Sequence, residues 1–140
     1  MKVNFAGSEI PDFSPIAAGE YHFIVTDGTI KESKDGPSDK NPTGQYVSWE
    51  LTCQDAPFIE RKAWTNTPLG GSGLGFLKGI LWATGNIEKS HDGDLDFEIE
   101  EVVGGHILAK VTVDKERDSN NVRNIRPYSE VGAAESLLPS

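Results

Sequence analysis

The chain has one cysteine, Cys53, and three histidines, His22, His91 and His106. A lone thiol cannot close an internal disulfide, so the fold must rest on its packed core, and such a chain suits a reducing compartment. The histidines fall at no spacing that would pair one with the thiol. No His/Cys cluster has the spacing of a metal site, so nothing points to a cysteine nucleophile or a bound metal. Long apolar runs are also missing. No segment approaches the roughly 20 residues of a membrane span, and the N-terminal M-K-V-N-F-A-G-S lacks an apolar leader core. The expectation is a cytoplasmic protein with no membrane partner and no cofactor. Positive charge is scarce as well: 13 Lys and Arg stand against 22 Asp and Glu, a net of −9. Taken whole, that balance speaks against a partner rich in phosphate.

The distribution of charge points the other way. Residues 88–101 hold seven carboxylates against Lys89 alone, a net of −6, which leaves only −3 for the rest of the chain. Acidity is confined to one segment, and a basic groove can exist elsewhere. With 140 residues, 36% hydrophobic content, 15 glycines and 8 prolines, the chain reads as one domain of short strands and many turns.

The most informative stretch runs from Gln45 to Leu69. Val47, Trp49, Leu51 and Cys53 alternate with Ser48, Glu50 and Thr52, the period of a half-buried strand. That places Cys53 inward as a small core residue. Further on, Arg61, Ala63 and Thr65 share one face, and Lys62, Trp64 and Asn66 the other. With a polar, proline-bearing link at Gln54–Pro57, the two halves read as an antiparallel hairpin. Alternation puts Trp49 inside and Trp64 outside, and a bulge would reverse this.

Around this hairpin the chain reads as an extended, proline-punctuated arm over 1–19, with Phe13 and Ile16 tacked onto the domain. A strand follows from Glu20 to Ile30, with Asp27-Gly28 marking a bend or bulge. Lys31 to Gly44 is a polar loop, of a kind that is usually functional or mobile. Gly70 to Gly75 reads as a flexible start to a helix with Ser72 as N-cap. Leu74, Leu77, Ile80 and Leu81 form its apolar stripe, Trp82 lies off that stripe, and Gly85-Asn86 ends it. The acidic segment then makes an irregular connection with a short turn at Phe97–Val103. In the strand His106–Asp114, Ile107, Ala109, Val111 and Val113 face in, while His106, Leu108, Lys110 and Thr112 face out. Asp118–Asn121 reads as a hairpin turn before a last strand over 121–127, and 128–140 as a mobile tail.

Three strands, a helix and two strands is the order of an OB-fold: all-β with one helix, a five-stranded Greek-key barrel over 20–127, the helix between strands 3 and 4. An open antiparallel sheet with one helix is the competing architecture. The long, glycine-broken first strand favours the barrel, where it serves both halves.

Ligands of that barrel lie across strands two and three, between the first-second and fourth-fifth loops. These places hold Lys31, Lys34 and Lys40 on one loop and Lys115 and Arg117 on the other. Tyr46, Arg61, Lys62, Trp64 and Asn66 come from the hairpin, Lys110 from the fourth strand, and Arg123 and Arg126 from the last. Cations interleaved with aromatics suit single-stranded nucleic acid, where cations follow the backbone and rings stack on bases at roughly 1–3 kcal/mol each. The plainer alternative is a tryptophan packed under a loop beside a solvated basic face, and composition alone weights the two about evenly. Enzyme signatures fail. Asp92-Gly93-Asp94 starts like a calcium loop but has Phe97 at the sixth position and Val103 at the twelfth. The run from Gly73 to Lys78-Gly79 lacks the glycine before the lysine and the Ser/Thr after it that a phosphate-binding loop needs. The chain reads as a binding protein rather than an enzyme.

The segments P-D-F-S-P-I-A-A-G-E-Y at 11–21, W-E-L at 49–51, R-K-A-W-T-N-T at 61–67, F-L-K-G-I-L-W-A-T-G at 76–85, V-V-G-G-H-I-L-A-K-V at 102–111 and N-x-V-R-N-I at 120–125 resemble small phage-encoded single-stranded DNA-binding proteins with an OB-fold. The resemblance covers residues 11–127. It implies binding and protection of single-stranded DNA, largely without sequence preference, in phage replication or recombination inside the bacterial cytoplasm. Phage replication or recombination proteins would be the partners, and a homo-oligomer is left open. The chain departs from that family in its tail, which carries only Glu130 and Glu135 with Leu137-Leu138 in place of an acidic end with a terminal aromatic. The competing function is a phage structural or adaptor protein that uses the same barrel to bind protein.

Overall fold

The computed structural model describes residues 1–4, 6–7, 15–93, 95–117 and 119–128. Phe13, Asp94, Asp118 and the tail from 129, with Glu130, Glu135 and Leu137-Leu138, lie outside the described residues. The elements are β1 (Gly19–Glu32), β2 (Gln45–Cys53), β3 (Lys62–Pro68), a 3-10 turn (Gly71–Gly73) running into α1 (Leu74–Ala83), a short α2 (Ile99–Val102), β4 (His106–Asp114) and β5 (Ser119–Pro127). All pairings are antiparallel, in one five-stranded sheet of order β3-β2-β1-β4-β5.

The long β1 joins the two halves of this sheet. Its first part, Gly19 to Ile24, pairs with β4, and Phe23 to Glu32 pairs with β2. Thr26 is left over where the register steps from Val25↔Leu51 to Asp27↔Glu50, a bulge that sharpens the local twist. Two residues on, Gly28 lies opposite Trp49. A Cβ at Gly28 would come within 2.7 Å of the Trp49 ring and 2.9 Å of Ile99 Cγ2. Glycine is needed there because an indole occupies the space where its side chain would be.

The core is built from the inward positions of alternating strands: Phe23 and Val25, then Val47, Trp49, Leu51 and Cys53, then Ala63, then Ile107, Ala109 and Val111. Leu77, Ile80 and Leu81 of α1 and Val102 of α2 complete it. Each large side chain so buried contributes about 1.5–3 kcal/mol. The Trp49 indole N–H donates to Thr67 Oγ1 at 2.8 Å, a fully buried bond that ties β2 to β3. Ile16 is also buried, its N–H and C=O held by the Asn120 side chain at 2.9 and 2.7 Å.

Several local expectations are corrected. The β2–β3 link runs from Gln54 to Arg61 rather than to Pro57. Ser72 does not cap α1: Gly73 holds the N-cap position with no side-chain bond, because the chain enters through a 3-10 turn. That turn packs against the long loop, with Ser72 N–H donating to Lys40 O at 3.2 Å. Gly71 has φ 75° and would place a Cβ 2.0 Å from the same carbonyl, so this glycine run is a close contact and not a flexible lead-in. The loop itself is cross-braced, Ser33 N–H to Gly44 O at 2.7 Å and Ser38 with Asn41 in both directions. The helix ends as expected at Gly85, with φ 81°. Asn86 N–H reaches Leu81 O and Gly85 N–H reaches Trp82 O, the paired bonds of a glycine C-cap. Val113 is exposed at the end of β4, whereas Leu108, on the outward positions, is buried. Ser119–Asn121 belong to β5 and the turn falls at Lys115–Arg117.

Thr67→Val keeps the side-chain volume but strands the Trp49 N–H in the core. The expected loss is about 1–3 kcal/mol, read as a drop of roughly 3–10 °C in Tm for a chain of this size. An unchanged Tm would show that the bond contributes nothing.

Candidate nucleic-acid interface

Register decides which hairpin residues reach the outer surface. Across β2–β3 the outward pairs are Thr52↔Lys62, Glu50↔Trp64, Ser48↔Asn66 and Tyr46↔Pro68. Trp49, on the inward set, is fully buried, while Trp64 is 55% exposed. Lys62 lies within 3.1 Å of Glu50 Oε1 and donates to Thr52 Oγ1 at 3.3 Å. Thr26 Oγ1 donates to the other Glu50 oxygen at 3.0 Å. The middle of this face is therefore a neutralised pair beside an open ring, and Lys62 can hold a phosphate only by leaving Glu50.

The remaining expected cations divide into groups. Arg126 is paired with Glu20 at 2.6 Å, and Arg117 approaches Asp114 at 3.9 Å. Lys110 sits in register between Glu20 and Arg123, on the β1–β4–β5 half of the sheet and away from β2–β3. Lys34 and Lys40 are on the long loop, and Lys115 is exposed on the β4–β5 turn. Arg61 precedes β3 and is partly buried, its C=O accepting from Cys53 N–H at 2.7 Å.

What the fold does bring together is a cleft of about 660 Å³ between β3, β5 and α1. Trp64 and Asn66 line it from β3, and Arg123 from β5. These three come from the expected set, Arg123 lying 57 residues beyond Asn66 in the chain. Joining them are Phe76 of α1, 70% exposed, and Asn121 and Asn124 of β5. Sequence reasoning missed these. Phe76 lies off the apolar stripe of its helix, Asn121 reads as a turn residue, and Asn124 carries no local signal of its own. Arg123 is the one cation lining the cleft among the described residues.

The acidic segment lies apart from it. Ile87, Phe97 and Ile99 pack against the core. Leu95 and Phe97 share a second groove with Leu77, Lys78 and Leu81; Gly75 borders both grooves, while Phe76 and Gly79 line only the first. Comparison with known protein families and with curated proteins finds no match to this chain.

A separate polar cluster emerges where β1 meets β4. His22 Nε2 and His106 Nδ1 share a hydrogen bond of 2.7 Å, and Tyr128 stacks flat on His22 with centroids 3.7 Å apart. No spacing in the chain announces this pair, 84 residues apart; it follows from outward positions on neighbouring strands. The His22 backbone N–H donates to Asp55 Oδ2 at 2.8 Å. Burial, and then His106, hold the His22 pKa below its usual value against the opposing pull of Asp55. Cys53 is a core thiol: burial pushes its pKa up, and it donates weakly to Asp55 O at 3.7 Å. Among the described residues no group of three or more His, Cys, Asp or Glu is placed to hold a metal ion.

The lowered His22 pKa has a definite sign in stability. The unfolded chain binds the proton first, so the contribution is complete above the ordinary histidine value near 6.5. It is lost as pH falls from there through the lower folded value. Tm is expected to decline as pH falls below about 7, and His22→Gln to flatten that decline. An equal slope in both proteins would exclude His22 as the source.

Proposed function

We propose that the chain binds single-stranded DNA without marked sequence preference, as an OB-fold protein of phage replication or recombination acting in the host bacterial cytoplasm. In this reading the sheet curls so that β3 and β5 close a barrel, and the strand crosses the outer face of β2–β3. The observation that carries it is Trp64. It is a large ring, half exposed on a strand, with no packing role in the core, set in a cleft with Arg123, Asn66 and the exposed Phe76. Exposed rings beside cations are what a stacked, sequence-tolerant strand requires. Lys34 and Lys40 on one side and Lys115 on the other make no ion pair among the described residues, and they can follow the phosphates.

The same set of cations limits the electrostatics. With about four free to engage, log affinity should fall with log salt at a slope near −3, roughly 0.7 per contact. The alternative, an adaptor that binds protein, draws on the Glu50–Lys62 pair in the middle of the face and on the exposed Leu74 and Phe76.

Tryptophan fluorescence titrated with a thirty-nucleotide oligothymidine at two salt concentrations separates the two. Quenching that weakens with salt at about the stated slope is expected, and binding of the DNA indifferent to salt, or no binding, would favour the adaptor. Trp64→Ala should weaken affinity by about 5- to 150-fold, the equivalent of one stacked base, with Tm retained. Unchanged affinity would remove Trp64 from the site.

A further inference from the structure

Gly75 and Gly79 stand about one turn apart on α1, and both line the β3–β5 cleft. A Cβ at either would meet nothing within 4 Å. Packing within the protein does not ask for glycine at these sites, yet glycine inside a helix weakens it relative to alanine. Two such residues on the one helix face that borders a cleft leave a flat floor, on which a planar group can lie against the helix backbone.

The walls above that floor are aromatic. Trp64 on β3 and Phe76 on α1 leave 55% and 70% of their surfaces to solvent, high values for rings that share a cleft. The rims are amides. Asn66, Asn121 and Asn124 line the cleft, and their side chains have no hydrogen-bond partner among the described residues. Asn124 is held at φ 53°, where the β4–β5 register steps from Leu108↔Arg126 to Lys110↔Arg123. A bulge of this kind re-aims side chains and is favoured beside functional sites.

Resting on the single-stranded DNA reading above, we infer that this cleft seats one unstacked base of the bound strand and reads its edge, with adenine preferred. The glycine floor and the two rings fit a planar heterocycle. An asparagine amide presents a donor and an acceptor side by side, the pattern that pairs with N6 and N7 of adenine. A cleft of about 660 Å³ falls within the usual range of small-ligand sites. Arg123 takes the phosphate next to the seated base. The rest of the strand is held by lysines and stacking whatever its sequence, so the preference applies at one position only.

The test compares thirty-nucleotide strands of repeated TTA and repeated TTC, titrated by fluorescence at one salt concentration. The full chain should bind the TTA strand at least about fivefold more tightly. Asn124→Gly removes the amide but suits the positive φ, and Gly79→Leu fills the floor with a strong helix former. Both should bring the ratio to about one while keeping Tm and measurable affinity for each strand. Tight, equal binding of both strands by the unaltered protein overturns the seated base and leaves the DNA reading standing. A TTA preference that survives both substitutions also overturns it, since the cleft would not be its source. Failure to bind either strand overturns the DNA reading itself, and the pocket with it.

Discussion

The buried indole of Trp49 is the contact on which the rest of this structure depends. It lies against Gly28 of β1 and donates to Thr67 of β3, while Ile99 of α2 closes on the same glycine. One side chain therefore fixes the spacing of three strands and seats the acidic connection. It also fixes the outside. With Trp49 inward and opposite Thr65, the next pair along, Glu50 with Trp64, has to face solvent. The exposed ring of the candidate site is presented by the packing of the buried one.

Charge is arranged by the same logic of neighbours. Lys62 and Arg126 look available in the sequence, but each sits close to a carboxylate of another strand, Glu50 and Glu20, and is paired there. Exposed pairs of this type contribute little to stability, typically under about 1 kcal/mol. Their effect is to take two cations out of play. The acidic segment packs against the core through Ile87, Phe97 and Ile99, and none of its described carboxylates lines the β3–β5 cleft.

Period-two alternation made β2 and most of β4 legible, and with them the inward Trp49 and outward Trp64. The helix stripe and its glycine stop were equally plain. Failures came where a third element intervened. Ser72 is a fair cap by type, but the long loop packs on the chain there and draws it into a 3-10 turn. Asn120 reads as a turn residue, yet its amide is spent on Ile16 and it is the second residue of β5. Leu108 is buried on a face that alternation assigned to water. The Glu50–Lys62 pair, the His22–His106 bond and the meeting of Phe76 with Asn121 and Asn124 all join residues distant in the chain. Their partners are set by strand order and register, which no local pattern contains.

The placement of the two edge strands has a consequence for how copies of this chain meet. An edge strand carries unpaired backbone groups that invite another chain to add to the sheet, and folded proteins usually blunt such edges with charge or cover. Here β3 and β5, the two ends of the sheet, border the same cleft and both approach α1. Lys62 stands on one of these edges and Arg123 on the other. Charge on both edges, with α1 beside them, works against growth by lateral strand addition, the route to fibrous aggregates. Copies of the chain can be crowded together without their sheets knitting into one.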